Sequence, residues 1–381
     1  MANKEQHFVP RVYMKAWETE VETSKEPDKK FNGVYVFTDT TIGEGANRKS
    51  VLWKPHLYTI RFEYSYICKK CPKIKKEFVN MIYEYLRNNG KQPIYGKYGY
   101  SIIKTKDSID KHFFEIMEWD FYYDDGNVAK KKAIQNQIEA MNSYLLETAF
   151  DNYFEKQWED IYGAFIDAVH KGIPVGIGRS ERIVPEEIAY KMLSLFFIML
   201  CRNPRFDAMG IYTRIKNNVL YPVFISMLQD ESEEEAQEEN SKEAEKEAIS
   251  YVDEMMTGIW YTELYKMFFR NSGGFYHNII ETALKGCQMV LFEAYEGAEF
   301  FITSDNPAFE NKTVVEKNNN TGMIFPISPK YLLFITKGDE GINVVDHRFA
   351  NAETVKYFNG IISRYKTDTL IANRKYLSEL L

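Results

Sequence analysis

The amino-acid sequence predicts an α+β protein, with a mixed sheet built from its N- and C-terminal parts and a central helical block. Three observations carry this. Up to about residue 125, apolar and polar residues alternate in short runs, which puts one face of a strand in a core. From about 130 to 286 the apolar residues recur at three- and four-residue steps, the spacing of one helix face. Over 287–381 short apolar runs return, separated by Gly, Pro and Asp. We therefore expect a single extended domain over 1–381, with subregions 1–125, 130–286 and 287–381.

In chain order, "GVYVFTDT" (33–40) and "LWKPHLYTIRF" (52–62) read as strands. Met141, Leu145, Phe154, Trp158, Ile161, Phe165 and Val169 mark a long amphipathic helix ending near Gly172. A second helix opens at "VPEEIAYKM", where Pro185 and two acids suit a first turn. It is apolar all round at Phe196 and Phe197, as a central buried helix should be, and Pro204 stops it. A third helix is expected over 207–228, and helix resumes at "SYVDEMMTGIWYTELYKMFF" up to Gly273 and Gly274. The C-terminal strands are "QMVLFEAY", "EFFITS", "MIFPISP" and "YLLFITKG"; the helix "AETVKYFNGIISRYK" and a strand "TLIAN" follow. There is no internal repeat.

Residues 230–247 hold ten acids and two lysines, a net of −8 against −7 for the whole chain. The remainder is thus close to neutral, and acidity does not exclude a polyanionic ligand. With no apolar face to bury, this acidic segment is expected to be mobile. The first residues lack the apolar stretch of a signal peptide. The longest apolar run, 192–201, is half of what a bilayer requires, so no membrane association is expected. Four Cys without framework spacing fit a cytoplasmic protein. Cys68 and Cys71 are half of a zinc set that Cys201 and Cys287 do not complete, and no metal site is assigned. Lys69, Lys70, Lys73, Lys75 and Lys76 are read as a solvated helix face or as phosphate contacts.

Four residues carry the candidate chemistry. His7 titrates near neutrality and can give or take a proton. Arg11, four residues on, offers a planar fork to phosphate or carboxylate. Arg202 ends the most apolar helix, where a cation suits the macrodipole or, alternatively, faces a cleft. Asp305 lies in "FFITSDNP", where a run of apolar residues stops at a polar turn. Turn capping explains that segment; orienting His7 or holding a divalent cation is the other reading. Ser304, Asn306 and Glu155 are supporting candidates. If Asp305 serves only the turn, Asp305→Asn should be nearly harmless.

The opening "HFVPRVYMKAW" (7–17), "CRNPR" (201–205), "FFITSDNP" (300–307), "IFPISP" (324–329) and "NAETVKYFNGIISRY" (351–365) together resemble the bacterial family catalogued as domain of unknown function 4238. Met14, where the family's usual residue is Leu, and the acidic insertion depart from its pattern. The resemblance implies one extended domain and brings no agreed reaction. The leading functional reading is a hydrolase acting on a phosphodiester or nucleotide, nuclease-like, with His7 as acid or base, Asp305 its orienter or a metal ligand, and Arg11 and Arg202 as anion clamps. The partner would then be nucleic acid or a nucleotide. The rival is a non-enzymatic sensor or scaffold that binds a protein partner.

Overall fold

The computed structural model describes residues 5–55, 57–58, 68–69, 72–88, 92–203, 222, 258, 260–267, 278, 281–282, 285–297, 300–311, 322–338, 340–377 and 380–381. It is an α+β fold. The acidic segment 230–247, the third helix 207–228 except residue 222, Lys70 and Cys71 lie outside the described residues.

The main sheet has seven strands in the order Phe309–Asn311, Gly322–Pro326, Tyr331–Lys337, Cys287–Ala294, Val344–Ala350, Glu181–Ile183, Ile173–Pro174. Cys287–Ala294 and Val344–Ala350 run parallel; the other neighbours are antiparallel. Side chains alternate faces along a strand, and here each face has its own core. Met289, Leu291, Leu333, Ile335, Phe325 and Val345 share a cluster with the helical block. Phe292, Ala294, Leu332, Phe334 and Ile324 pack in a second cluster with Val355, Phe358 and Ile362 of the C-terminal helix Ala352–Tyr365. A sheet covered on both sides explains the nearly unbroken apolar run "MVLFEA".

A second sheet joins the chain ends as expected. Phe31–Phe37 pairs with Thr19–Val21 and Glu44–Ala46 from the N-terminal part and with Leu370–Ala372 from the C-terminal part, which in turn pairs with Thr303–Ser304. The N-terminal motif is what clamps them. Tyr13 is fully buried and its hydroxyl donates to the Pro326 carbonyl (2.6 Å) and contacts Thr303 Oγ1 (2.7 Å). Trp17 Nε1 donates to the Phe301 carbonyl at 2.8 Å. The motifs separated by some 300 residues are therefore in direct contact.

The helix Glu186–Arg202 is the centre of the helical block, with Met192, Leu193, Phe196 and Phe197 all buried. Each large apolar side chain contributes about 1.5–3 kcal/mol by leaving water. Asn203 leaves the helix in extended backbone (φ −63°, ψ 128°), as the residue before a proline must.

Several expected elements differ. Of "LWKPHLYTIRF" only Trp53–Pro55 is strand, with Leu57 and Tyr58 in a turn, and the block expected to be helical gives the main sheet two short strands, Ile173–Pro174 and Glu181–Ile183. The single long helix is three, Lys131–Ser143, Leu145–Tyr153 and Trp158–Lys171, broken at Tyr144 and Phe154. Neither break carries Gly or Pro, and the apolar spacing runs through both. Periodicity reports which face is buried, not whether the axis is continuous. Likewise only Thr303–Ser304 of "EFFITS" is strand. Phe301 and Ile302 are fully buried, but side chains replace a neighbouring strand. Asn359 Oδ1 accepts from Ile302 N (3.0 Å), and Asn359 Nδ2 donates to the carbonyls of Phe300 and Leu380.

Candidate functional site

A cavity of about 290 Å³ opens where the N-terminal strand, the broken helices and the end of the central helix meet. His7, Arg11, Arg202 and Glu155 all line it, so four of the residues singled out in the sequence converge. The strand Glu5–His7, paired with Trp53–Pro55, delivers Gln6 and His7. Pro10 turns the chain into the short helix Arg11–Met14, which sets Arg11 beside His7. Glu147, Asp151 and Glu155 enter from the broken helices at four-residue steps, one face of the helical path.

Arg202 is the most unusual residue of the site. It is 2% exposed. One Nη2 proton goes to the His7 carbonyl at 2.7 Å, and the nearest carboxylate, Glu155 Oε1, stands off at 3.8 Å. Its guanidinium lies over the Phe150 ring, 4.2 Å from the centroid, with Phe154 and Tyr58 at 5.5 and 5.6 Å. Nε and Nη1 are buried and have no hydrogen-bond partner among the described residues. An unsatisfied buried donor of a charged group costs about 1–3 kcal/mol or more, so such groups are rare unless a ligand meets them. The Tyr58 hydroxyl donates to the Arg202 carbonyl (2.7 Å), fixing the helix end.

The His7 imidazole donates from Nε2 to the Lys49 carbonyl at 3.2 Å, which leaves Nδ1 as the proton acceptor. Burial, then the charge of Arg11 and, more weakly, that of Arg202, lower its pKa from 6.5 to about 4, against a raising contribution from the Lys49 carbonyl. His7 is therefore neutral at pH 7, a base rather than an acid. Gln6 Nε2 donates to Glu147 Oε2 at 2.9 Å, and burial raises the Glu147 carboxyl. Arg11 makes no side-chain ion pair or hydrogen bond among the described residues. Asp151 pairs with Lys156 at 2.9 Å.

Asp305 is elsewhere. Its carboxylate does not line the cavity, and both oxygens are taken by backbone: Oδ1 accepts from Thr367 N (2.8 Å), Oδ2 from Asp368 N (2.8 Å) and Thr369 N (3.2 Å). His7 has the Lys49 carbonyl, not Asp305, as its partner. Ser304 Oγ bridges the Asn306 N–H and carbonyl, and Asn306 Nδ2 donates to the Tyr365 carbonyl. Asn203 Nδ2 reaches the Asp305 carbonyl at 3.2 Å, tying this turn to the end of the central helix. The structure thus gives the polar turn the geometry of a latch.

The sequence reading missed Gln6, Glu147 and Asp151. The two acids share a face with Glu155 at steps of four, which is a visible signal; Gln6 gives none. Lys69 and Lys75 stand over Phe114, with Lys75 also paired to Asp110, and neither reaches the cavity. Cys201 and Cys287 are free thiols, and Cys68 is buried. Among the described residues one group has metal-ligand proximity, His170, Glu293 and His347, and it does not line this cavity. No described helix is long and apolar enough to cross a membrane.

Fold and site together define an α+β protein whose two ends close over a helical block and whose cavity presents a buried, half-satisfied arginine next to a neutral histidine. The chain belongs to the family described as protein of unknown function DUF4238, whose model matches residues 5–375. No curated protein and no solved structure matches it.

Proposed function

We propose that the cavity binds a phosphate-bearing ligand and that the chain is a cytoplasmic hydrolase of a phosphodiester or nucleotide. The observation that carries this reading is Arg202, which lines a cavity together with Arg11 and has two donors without a partner among the described residues. Phosphate oxygens would supply acceptors that the guanidinium lacks, and the aromatic shelf under it keeps its plane fixed. His7, neutral and already oriented by the Lys49 carbonyl, would take a proton from the attacking water. Glu147, whose carboxyl burial raises, would return a proton to the leaving oxygen. The three carboxylates lining the cavity disfavour a ligand of high negative charge density, which favours the monoanionic diester over a free dianion.

Bound anion would offset the two guanidinium charges that hold His7 down. Binding should therefore strengthen as pH falls from 6.5 towards 4, with proton uptake. The test is calorimetric titration with a nucleoside 3′,5′-cyclic monophosphate and with inorganic phosphate, and hydrolysis of bis(p-nitrophenyl) phosphate. Saturable binding lost in Arg202→Met supports the reading. Absence of binding by all three in the folded wild type defeats it and favours the sensor or scaffold, for which the latch geometry of Asp305 is the supporting observation.

A further inference from the structure

His170, Glu293 and His347 meet at the opposite end of the helix Trp158–Lys171 from the cavity, about 20 Å along its axis. They come from three separate elements. His170 is in the last turn of that helix; Glu293 and His347 are on the parallel pair Cys287–Ala294 and Val344–Ala350, where His347 is level with Leu291. Period-two alternation puts Glu293 and His347 on the sheet face that packs against the helical block. His170 Nε2 is 3.0 Å and His347 Nε2 2.8 Å from the same oxygen, Glu293 Oε2. All three ligand atoms lie within 4.8 Å of one another.

We propose that this trio is a binding site for one divalent transition-metal ion of the zinc type. The chemistry of the donors is the first reason: two imidazole nitrogens and one carboxylate oxygen form the three-ligand set of open zinc and non-haem iron sites. Geometry is the second. Tetrahedral ligands at 2.0–2.2 Å from a metal are about 3.3 Å from one another. The two N···O separations open towards that value by a few tenths of an ångström, and the two imidazole nitrogens, within 4.8 Å of each other, close towards it by side-chain rotation. The surroundings are the third. Glu293 is 6% exposed, and its other oxygen is held by Lys330 Nζ (2.9 Å) and faced by the Tyr331 hydroxyl (3.5 Å). That leaves Oε2 pointing at the imidazoles, the outer-shell arrangement that orients a ligating carboxylate. The helix C-terminus beneath His170 favours a cation. Neutral imidazoles carry their proton on either nitrogen, so both Nε2 lone pairs can face a metal without loss of charge balance. His170 is half open to solvent, which gives an entry path and a coordination position for water.

The site is independent of the proposed hydrolase. Its test uses the full chain, stripped with chelator, and titrated with Zn²⁺ by calorimetry and with Co²⁺ by visible d–d absorption. One equivalent should bind, with the intense bands of a four- or five-coordinate cobalt centre, and Zn²⁺ should raise the melting temperature. His170→Ala, a change at the most exposed ligand that gives up one hydrogen bond to Glu293 and should still fold, should weaken binding at least tenfold. His347→Ala and Glu293→Gln should do the same where they fold. Wild type and His170→Ala binding Zn²⁺ equally, or no saturable binding, would overturn the assignment and leave the trio as a hydrogen-bonded anchor of helix on sheet.

Discussion

Arg202 and Asn203 are neighbours in the chain, yet they belong to two opposite kinds of polar construction. Arg202 lines a cavity and has two donors unmet among the described residues. Asn203 turns the other way, onto the Asp305 turn, where the Asp305 carboxylate accepts three backbone hydrogen bonds and Ser304 and Asn306 are bonded too. Both constructions are buried and both end an apolar element. What separates them is satisfaction: a closed set of hydrogen bonds stabilises the fold, whereas an open one stores capacity for something that is not protein.

The sharpest way to break this contrast is Asp305→Asn. An amide has one accepting oxygen, and its NH₂ would face backbone N–H groups, so the variant should lose about 2–4 kcal/mol of stability, since bonds to a charged acceptor are worth about 1.5–3 kcal/mol each. The expectation that Asn substitutes harmlessly holds for an ordinary Asx turn but not for a carboxylate engaged through both oxygens. Urea denaturation measures the loss; anion affinity of the folded fraction should be unchanged. A stable Asp305→Asn protein without ligand affinity would reverse the two roles.

Arg202→Met should give the complementary result. Replacing a buried, unsatisfied charge by an apolar chain of similar reach is commonly neutral or stabilising. Affinity for a phosphodiester should fall about 100-fold, the worth of two charge-assisted hydrogen bonds, while the melting temperature holds or rises. His7 supplies a smaller effect with a definite sign. Its pKa is lowered from 6.5 in the unfolded chain to about 4 in the fold. The unfolded chain therefore binds a proton first as pH falls. The stabilisation from a neutral His7 is present above 6.5, declines between 6.5 and 4, and changes no further below 4. His7→Gln should remove that slope of about one proton, read from stability against pH. Arg11→Ala is the mildest: a partly exposed guanidinium should cost about three- to tenfold in affinity, with a salt dependence that Arg202→Met lacks.

Much of the fold was legible because each apolar run has only one sensible partner. "MVLFEA" had to be a doubly covered strand, and the Phe196–Phe197 region a central helix. The breaks at Tyr144 and Phe154 were not legible, since no Gly or Pro marks them and the apolar spacing runs through both. The site was half legible. His7, Arg11, Arg202 and Glu155 were nameable from their chemistry and converge; Asp305 was nameable for the same reason and serves the turn instead. Residue type indicates what a side chain is able to do, and only its neighbours decide whether that capacity is already used. His170, Glu293 and His347 lie 54 to 177 residues apart in the sequence, too dispersed for any spacing rule to gather them.

Phe31–Phe37 waits for Leu370–Ala372. A ribosome adding 5–20 residues per second makes that strand roughly 20–70 s before its partner emerges. Throughout that interval Tyr35, Val36 and Phe37 present an unpaired, aromatic-rich edge, the kind of surface that neighbouring nascent chains and holdase chaperones recognise. Yield of folded protein should therefore respond to elongation rate and to chaperone supply more than to the thermodynamic stability of the finished chain, and a permutant that begins near residue 300 would shorten the wait to under a hundred residues of synthesis, about 5–20 s.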